Sequence, residues 1–234
     1  MWSRTLLYDS SMFNSLPPIE AADGEMRSKN RLGTALSVFG SVFAKHKMCD
    51  SWGISLLHRH WAIEEGELPI QDSTETSVRR EFVTAPRRAS FPKQFSPAIL
   101  CVDGRGESSL FPLEFSTDQR VCEAFHALTF NQAFVRDFCE TALATGLSTT
   151  FGLIATKEVS SPELELVEFN QSARISVLKE VPSVETKGKT LIQTCWRFKA
   201  DAASMDCEAS CFARCTVSDD GSHSGDHAPA HAPS

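Results

Sequence analysis

The sequence predicts a single α+β domain, a mostly antiparallel sheet packed against two or three helices, followed by a flexible C-terminal tail. Three observations carry this. Apolar residues recur at helical spacing over 29–47, 117–128 and 131–145. After Gly146 the apolar period changes to two, the period of a strand. Short, turn-rich links such as Asn170-Gln171 and Lys187-Gly188-Lys189 join the later strands, which favours an antiparallel meander over crossover units.

Residues 1–27 hold Pro17, Pro18, Gly24 and several acids and read as an irregular lead-in. The domain proper is expected over 28–199. Its first helix carries Leu32, Ala35, Leu36, Phe39, Val42 and Phe43 on one stripe, and Lys45, His46 and Lys47 suit its negative C-terminal end. Gly53 to Trp61 is rich in Ile, Leu and aromatic residues and reads as a strand with Ile54, Leu56, His58 and His60 on one face. Residues 62–97 are polar and contain Pro69, Pro86, Pro92 and Pro97, so they read as a long loop with one short element near Ser77 to Thr84. Ala98 to Val102 is a short strand ended by the turn pair Asp103-Gly104, and Leu110 to Phe115 is its hairpin partner. Asn131 can cap the last helix, whose buried stripe is Phe134, Val135, Phe138 and Ala142, and Gly146 can stop it. Strands are then expected at 150–156, 163–169, 173–178 and 190–198. From Ala200 to Ser234 the apolar pattern ends in a Cys- and His-rich tail.

The net charge of −7 lacks the basic footprint that nonspecific binding to nucleic acid or an anionic membrane needs. No apolar run approaches the roughly 20 residues of a membrane span, and Met1 to Leu16, with one Arg and no sustained apolar stretch, is not expected to act as a secretory leader. An intracellular location, cytoplasmic or nuclear, is therefore expected, with a protein or a small molecule as the remaining kinds of partner. In a reducing compartment the eight cysteines are thiols or ligands.

The tail carries a ladder of Cys207, Cys211, Cys215, His223, His227 and His231, each rung four residues, or a multiple of four, from the next. Thiolate and imidazole are the common zinc ligands, so the ladder points to zinc, with Cu(I) as the alternative that three close thiols would suit. Residues 206–216 contain no Gly or Pro and allow a helix with the three thiols on one face. Gly221, Gly225, Pro229 and Pro233 deny a helix to the histidine half. The same composition also fits an acidic tail that stays unfolded.

His58-Arg59-His60 is a second constellation, with Glu64 four residues beyond the pair. Two imidazoles on one strand face with a nearby carboxylate can bind a divalent metal, or serve as acid and base in a small enzyme. The competing reading is a pair of structural, half-buried histidines beside Ile54 and Leu56. Gly53, His58, His60 and Glu64 partly resemble the first metal motif of cupins. The spacer after Gly53 is one residue short, and no histidine between His126 and His223 can supply the second motif. Arg87-Arg88-Ala89-Ser90 resembles a site for basophilic kinases, so Ser90 is a candidate for modification and the chain for a phospho-regulated interaction module. No phosphate-cradling Gly-rich loop, Gly-x-Ser-x-Gly elbow or His-Glu-x-x-His motif is present, and the residues leave open whether the chain is an enzyme.

Trp52 to Trp61, reading Trp-Gly-Ile-Ser-Leu-Leu-His-Arg-His-Trp, resembles a segment of an uncharacterised family of filamentous-fungal proteins. Members share a helix followed by Gly-Leu and Phe-Gly-Leu, as in Ala142 to Leu153, and often end in a Cys- and His-rich tail. The resemblance spans most of the chain and implies a nonsecreted fungal protein. It assigns no activity; an enzyme of this kind would belong to specialised metabolism.

Overall fold

The computed structural model describes residues 8–65, 67–76, 79–83, 95–104, 109–156, 164–170, 175–181, 190–200 and 207–217. Helices α1 (Ser10–Asn14), α2 (Ile19–Arg27) and α3 (Arg31–His46) come first. Strands β1 (Trp52–Leu56), β2 (Ile70–Thr76), β3 (Arg79–Val83), β4 (Ser96–Asp103) and β5 (Ser109–Ser116) follow. Helices α4 (Gln119–Phe130) and α5 (Gln132–Ala144) separate them from β6 (Phe151–Ala155), β7 (Leu164–Asn170), β8 (Ile175–Val181), β9 (Thr190–Ala200) and β10 (Cys207–Val217). The architecture is α+β.

The strands close into a barrel in the order β1-β6-β4-β5-β2-β3-β8-β7-β10-β9, and β9 pairs back onto β1. All pairings are antiparallel except β2 with β5 and β7 with β10. Closure leaves no unpaired edge among these strands.

The wall has two faces, set by the period of two. Trp52, Ile54 and Leu56 face the same core as Phe39, Phe43 and Phe138 of the helices, in the larger cluster of buried side chains. Phe43 stacks on Phe198 at 4.7 Å between centroids, which seats α3 on β9. Leu57, Cys101, Phe111 and Leu113 point the other way and pack around Phe13 of α1. Every residue of β1 is buried as a result.

Local chemistry explains the helix ends. The Asn131 side chain accepts from Phe134 N and caps α5. Gly146, at φ +68°, lets the Leu147 amide return to the Ala142 carbonyl and close it. At the end of α3, Lys45 Nζ and His46 Nε2 both reach Asp137 Oδ2 of α5, at 2.6 and 2.8 Å. Those two hydrogen bonds hold the Asp137 carboxyl below the usual carboxylate range.

Several expectations are corrected. The described part of the expected lead-in, residues 8–27, is not irregular; it holds α1 and α2, because Asp9 caps the first and Ile19, Ala22 and Met26 give the second a buried stripe. The described part of 62–97 is not one loop: β3 lies where the short element was expected, β2 precedes it, and they pair with each other, β2 also with β5 and β3 with β8. The strand expected to run to Trp61 ends at Leu56, since the Leu57 amide bonds to Thr150 O and the Arg59 amide to Pro17 O. The late strands form no meander: β7 and β8 pair, while β6 and β9 both flank β1. Residues 207–217 are a strand and not a helix, paired along their length with β9.

Candidate metal centre

The chain leaves β1 at Leu56 and enters a short stretch held by α1. Arg59 donates its amide to Pro17 O at 3.0 Å and its guanidinium to Asn14 O at 2.5 Å. The Asn14 side chain then brackets Ile63, accepting from its amide at 2.9 Å and donating to its carbonyl at 2.8 Å. His58 and His60 sit inside this segment, whose backbone Asn14 and Pro17 hold at Arg59 and Ile63. Asn14→Ala removes both Ile63 bonds while leaving the Asn14 carbonyl. It is expected to lower stability by about 1–3 kcal/mol, read from urea unfolding.

The His58 Nδ1 lies 2.8 Å from the Leu56 carbonyl. A carbonyl only accepts, so Nδ1 carries the proton and the neutral ring keeps its lone pair on Nε2. That Nε2 lies 2.9 Å from the His60 Nε2. Two lone pairs cannot face each other, so the neutral pair shares one proton, donated from His60 to His58. Cys215 arrives from β10, its sulfur 3.5 Å from the His58 Nε2 and 3.8 Å from the His60 Nε2.

The three donor atoms lie within 4.8 Å of one another, a group that could hold a metal ion. With zinc bond lengths of about 2.05 Å to nitrogen and 2.3 Å to sulfur, tetrahedral ligands would sit about 3.3 Å apart for N···N and about 3.6 Å for N···S. The two observed N···S distances, 3.5 and 3.8 Å, bracket the second value. The N···N distance of 2.9 Å is that of a hydrogen-bonded pair, which an ion would push apart by about 0.4 Å. The hydrogen bond from His58 Nδ1 to a backbone carbonyl is also the outer contact that metal-binding imidazoles ordinarily make.

Cys215 is 1% exposed. Burial pushes its thiol up to about 12; a hydrogen bond with Thr194 opposes this, and the charges of Glu114 and Cys211 add to it. On its own the thiol stays protonated at neutral pH, which argues against a free thiolate nucleophile. A divalent cation reverses the balance, since a coordinating thiol loses its proton outright. Metal binding must then release that proton, so affinity rises with pH. The raised thiol extends the competition beyond the ordinary thiol range near 8.5. Zinc affinity is expected to climb about tenfold per pH unit from roughly pH 7 to 9 without levelling, measured by chelator competition.

The structure therefore joins His58 and His60 from one constellation to Cys215 from the other. Glu64 is exposed, its amide held by Glu67 Oε2 at 2.7 Å, and it is not in the group. Cys211 lies on the helix-bearing face, but its sulfur bonds to the Ala213 carbonyl at 3.3 Å. Burial raises its thiol as well. Cys207 opens β10, and its side chain lies outside the described residues, as do His223, His227, His231 and Ser90. Sequence reasoning missed Thr194, buried beside Cys215 on β9. Its one signal was a hydroxyl at period two from Ile192, Trp196 and Phe198, on the otherwise apolar face of that strand. No helix among the described residues is long and apolar enough to cross a membrane. No family model, curated protein or solved structure matches this chain.

Proposed function

We propose that this is an intracellular zinc-binding protein of binding or regulatory role, whose ion is held by His58, His60 and Cys215. The observation that carries the reading is the convergence of three donors from sequence separations of 155 and 157 residues. Convergence over that distance requires β9 to close the barrel onto β1, and it brings together three side chains of the types that ligate zinc. Two imidazoles and one thiol form a borderline donor set, which favours zinc; Cu(I) would prefer more sulfur. The Cys211 contact with Ala213 reduces the support for a three-thiol site.

A second reading, a small enzyme, has one observation in its favour. Among the described residues the group supplies three donors, the number that catalytic zinc sites use while keeping a fourth position for water or substrate. Alanine replacement of His223, His227 and His231 together separates the readings. Unchanged affinity would favour an exogenous fourth ligand; a large loss would favour a closed site completed by the tail.

The direct test is metal analysis of the purified full chain after zinc loading and removal of excess. One zinc per chain is expected. At a free zinc concentration about one hundred times Kd the ion should stabilise the fold by about 2.7 kcal/mol, raising Tm by roughly 5–10 °C. A chain that takes up no zinc and shows no thermal shift would refute the reading.

A further inference from the structure

We propose that Thr194 is the positioning residue for Cys215, holding the thiol in the metal-free protein and donating a hydrogen bond to the thiolate in the loaded one. This rests on the metal-binding reading above.

The argument starts from the β9–β10 ladder. Ala213 pairs with Cys195 and Arg214 with Gln193, so the register skips Phe212 on β10 and then Thr194 on β9. The first irregularity alone would turn every later β10 side chain to the wrong face, because a one-residue slip inverts the period of two. The second restores it. Cys215, opposite Ile192, thus returns to the helix-bearing face, where His58 and His60 are met. Thr194 is the residue at which this restoration occurs.

Its side chain is 2% exposed and fully committed. The hydroxyl donates to the Ala213 carbonyl at 3.2 Å and accepts from the Cys215 thiol across 4.0 Å. When zinc binds, the Cys215 proton leaves to the buffer and a zinc–sulfur bond forms. The sulfur can then only accept. The Thr194 proton can rotate from the Ala213 carbonyl to the thiolate, because the oxygen it leaves still receives the Cys211 thiol at 3.3 Å. The exchange strands no buried carbonyl, and it gives Cys211 a purpose other than ligation.

The test uses the full chain with Thr194→Val, Thr194→Ala and Thr194→Ser. Zinc affinity is measured by chelator competition, and the sulfur-to-metal charge-transfer band by absorption of the Co2+ form. Valine and alanine are expected to lower affinity by roughly 10–100-fold, the usual cost of losing an outer-shell partner. They should also move the Co2+ band to lower energy, since the thiolate loses a donor. Serine should keep both properties near wild type. Wild-type affinity and an unshifted band in the valine or alanine variant would overturn the proposal, as would a serine variant that fails like valine, which marks a packing role. Alanine stands in if valine does not fold. A wild-type protein with no cobalt–thiolate band fails differently: it removes the metal centre itself.

Discussion

Cys215→Ser is expected to abolish stoichiometric zinc binding, while Cys211→Ser leaves one zinc per chain. The two cysteines are four residues apart on one strand and lie on one face of it, so the contrast tests placement and not composition. Cys215 offers its sulfur to both imidazoles, at 3.5 and 3.8 Å. Cys211 directs its own to a backbone carbonyl. Removing a direct ligand should cost more than the roughly 10–100-fold attached to an outer-shell partner. His58→Ala and His60→Ala should match the Cys215 variant. His58→Ala would additionally leave the Leu56 carbonyl without its 2.8 Å ring donor. The measurement is zinc content after gel filtration, with circular dichroism to verify folding. A Cys215→Ser protein that retains one zinc at wild-type affinity would place the ion elsewhere. If the histidine-tail triple variant lost the ion at the same time, the tail would be that place.

The three larger helices were legible because each depends on near neighbours. Apolar periods located α3, α4 and α5, and Asn131 and Gly146 marked the ends of α5 through capping chemistry that spans a few residues. The centre was legible only in halves. What joins them is the pairing of β1 with β6 and β9, and of β9 with β10, and no local pattern encodes which distant strands become neighbours. The ladder misled for a specific reason. A spacing of four keeps residues on one face of a helix, yet it is also two strand periods. Cys207, Ala209, Cys211, Ala213, Cys215 and Val217 alternate with Glu208, Ser210, Phe212, Arg214 and Thr216, of which all but Phe212 are polar. That alternation was the stronger signal, and the Cys spacing masked it. Lacking a turn-forming Gly or Pro, the segment satisfied the helix reading without excluding the strand.

Gly152→Ala is expected to cost roughly 3 kcal/mol or more, at the upper end of what overpacking does, and to lower Tm by about 6–12 °C. A methyl at Gly152 would fall well inside contact distance of the Leu100 backbone carbonyl on β4 and 2.7 Å from Leu57 Cδ2. A methyl at Gly53 would meet the Trp196 backbone carbonyl on β9. Neither carbonyl is the end of a flexible side chain, so relief requires moving a paired strand. Gly24 is the control of opposite sign. It lies inside α2 with nothing within 4 Å of its added methyl, and Gly24→Ala should stabilise by about 0.5–1 kcal/mol. The two barrel glycines should differ in their effect on the metal. Gly152 crowds Leu57, the residue between the Leu56 carbonyl and His58, whose amide is tied to Thr150 O beside the same strand. Gly53 crowds β9 at Trp196, on the opposite side of β1. If β6 is what aims His58, zinc affinity should fall in folded Gly152→Ala and stay closer to wild type in Gly53→Ala at equal loss of stability. Equal losses of affinity would mean that the centre responds only to the integrity of the barrel. A larger loss at Gly53 would shift the aiming role to β9, the strand that already positions Cys215 through Thr194.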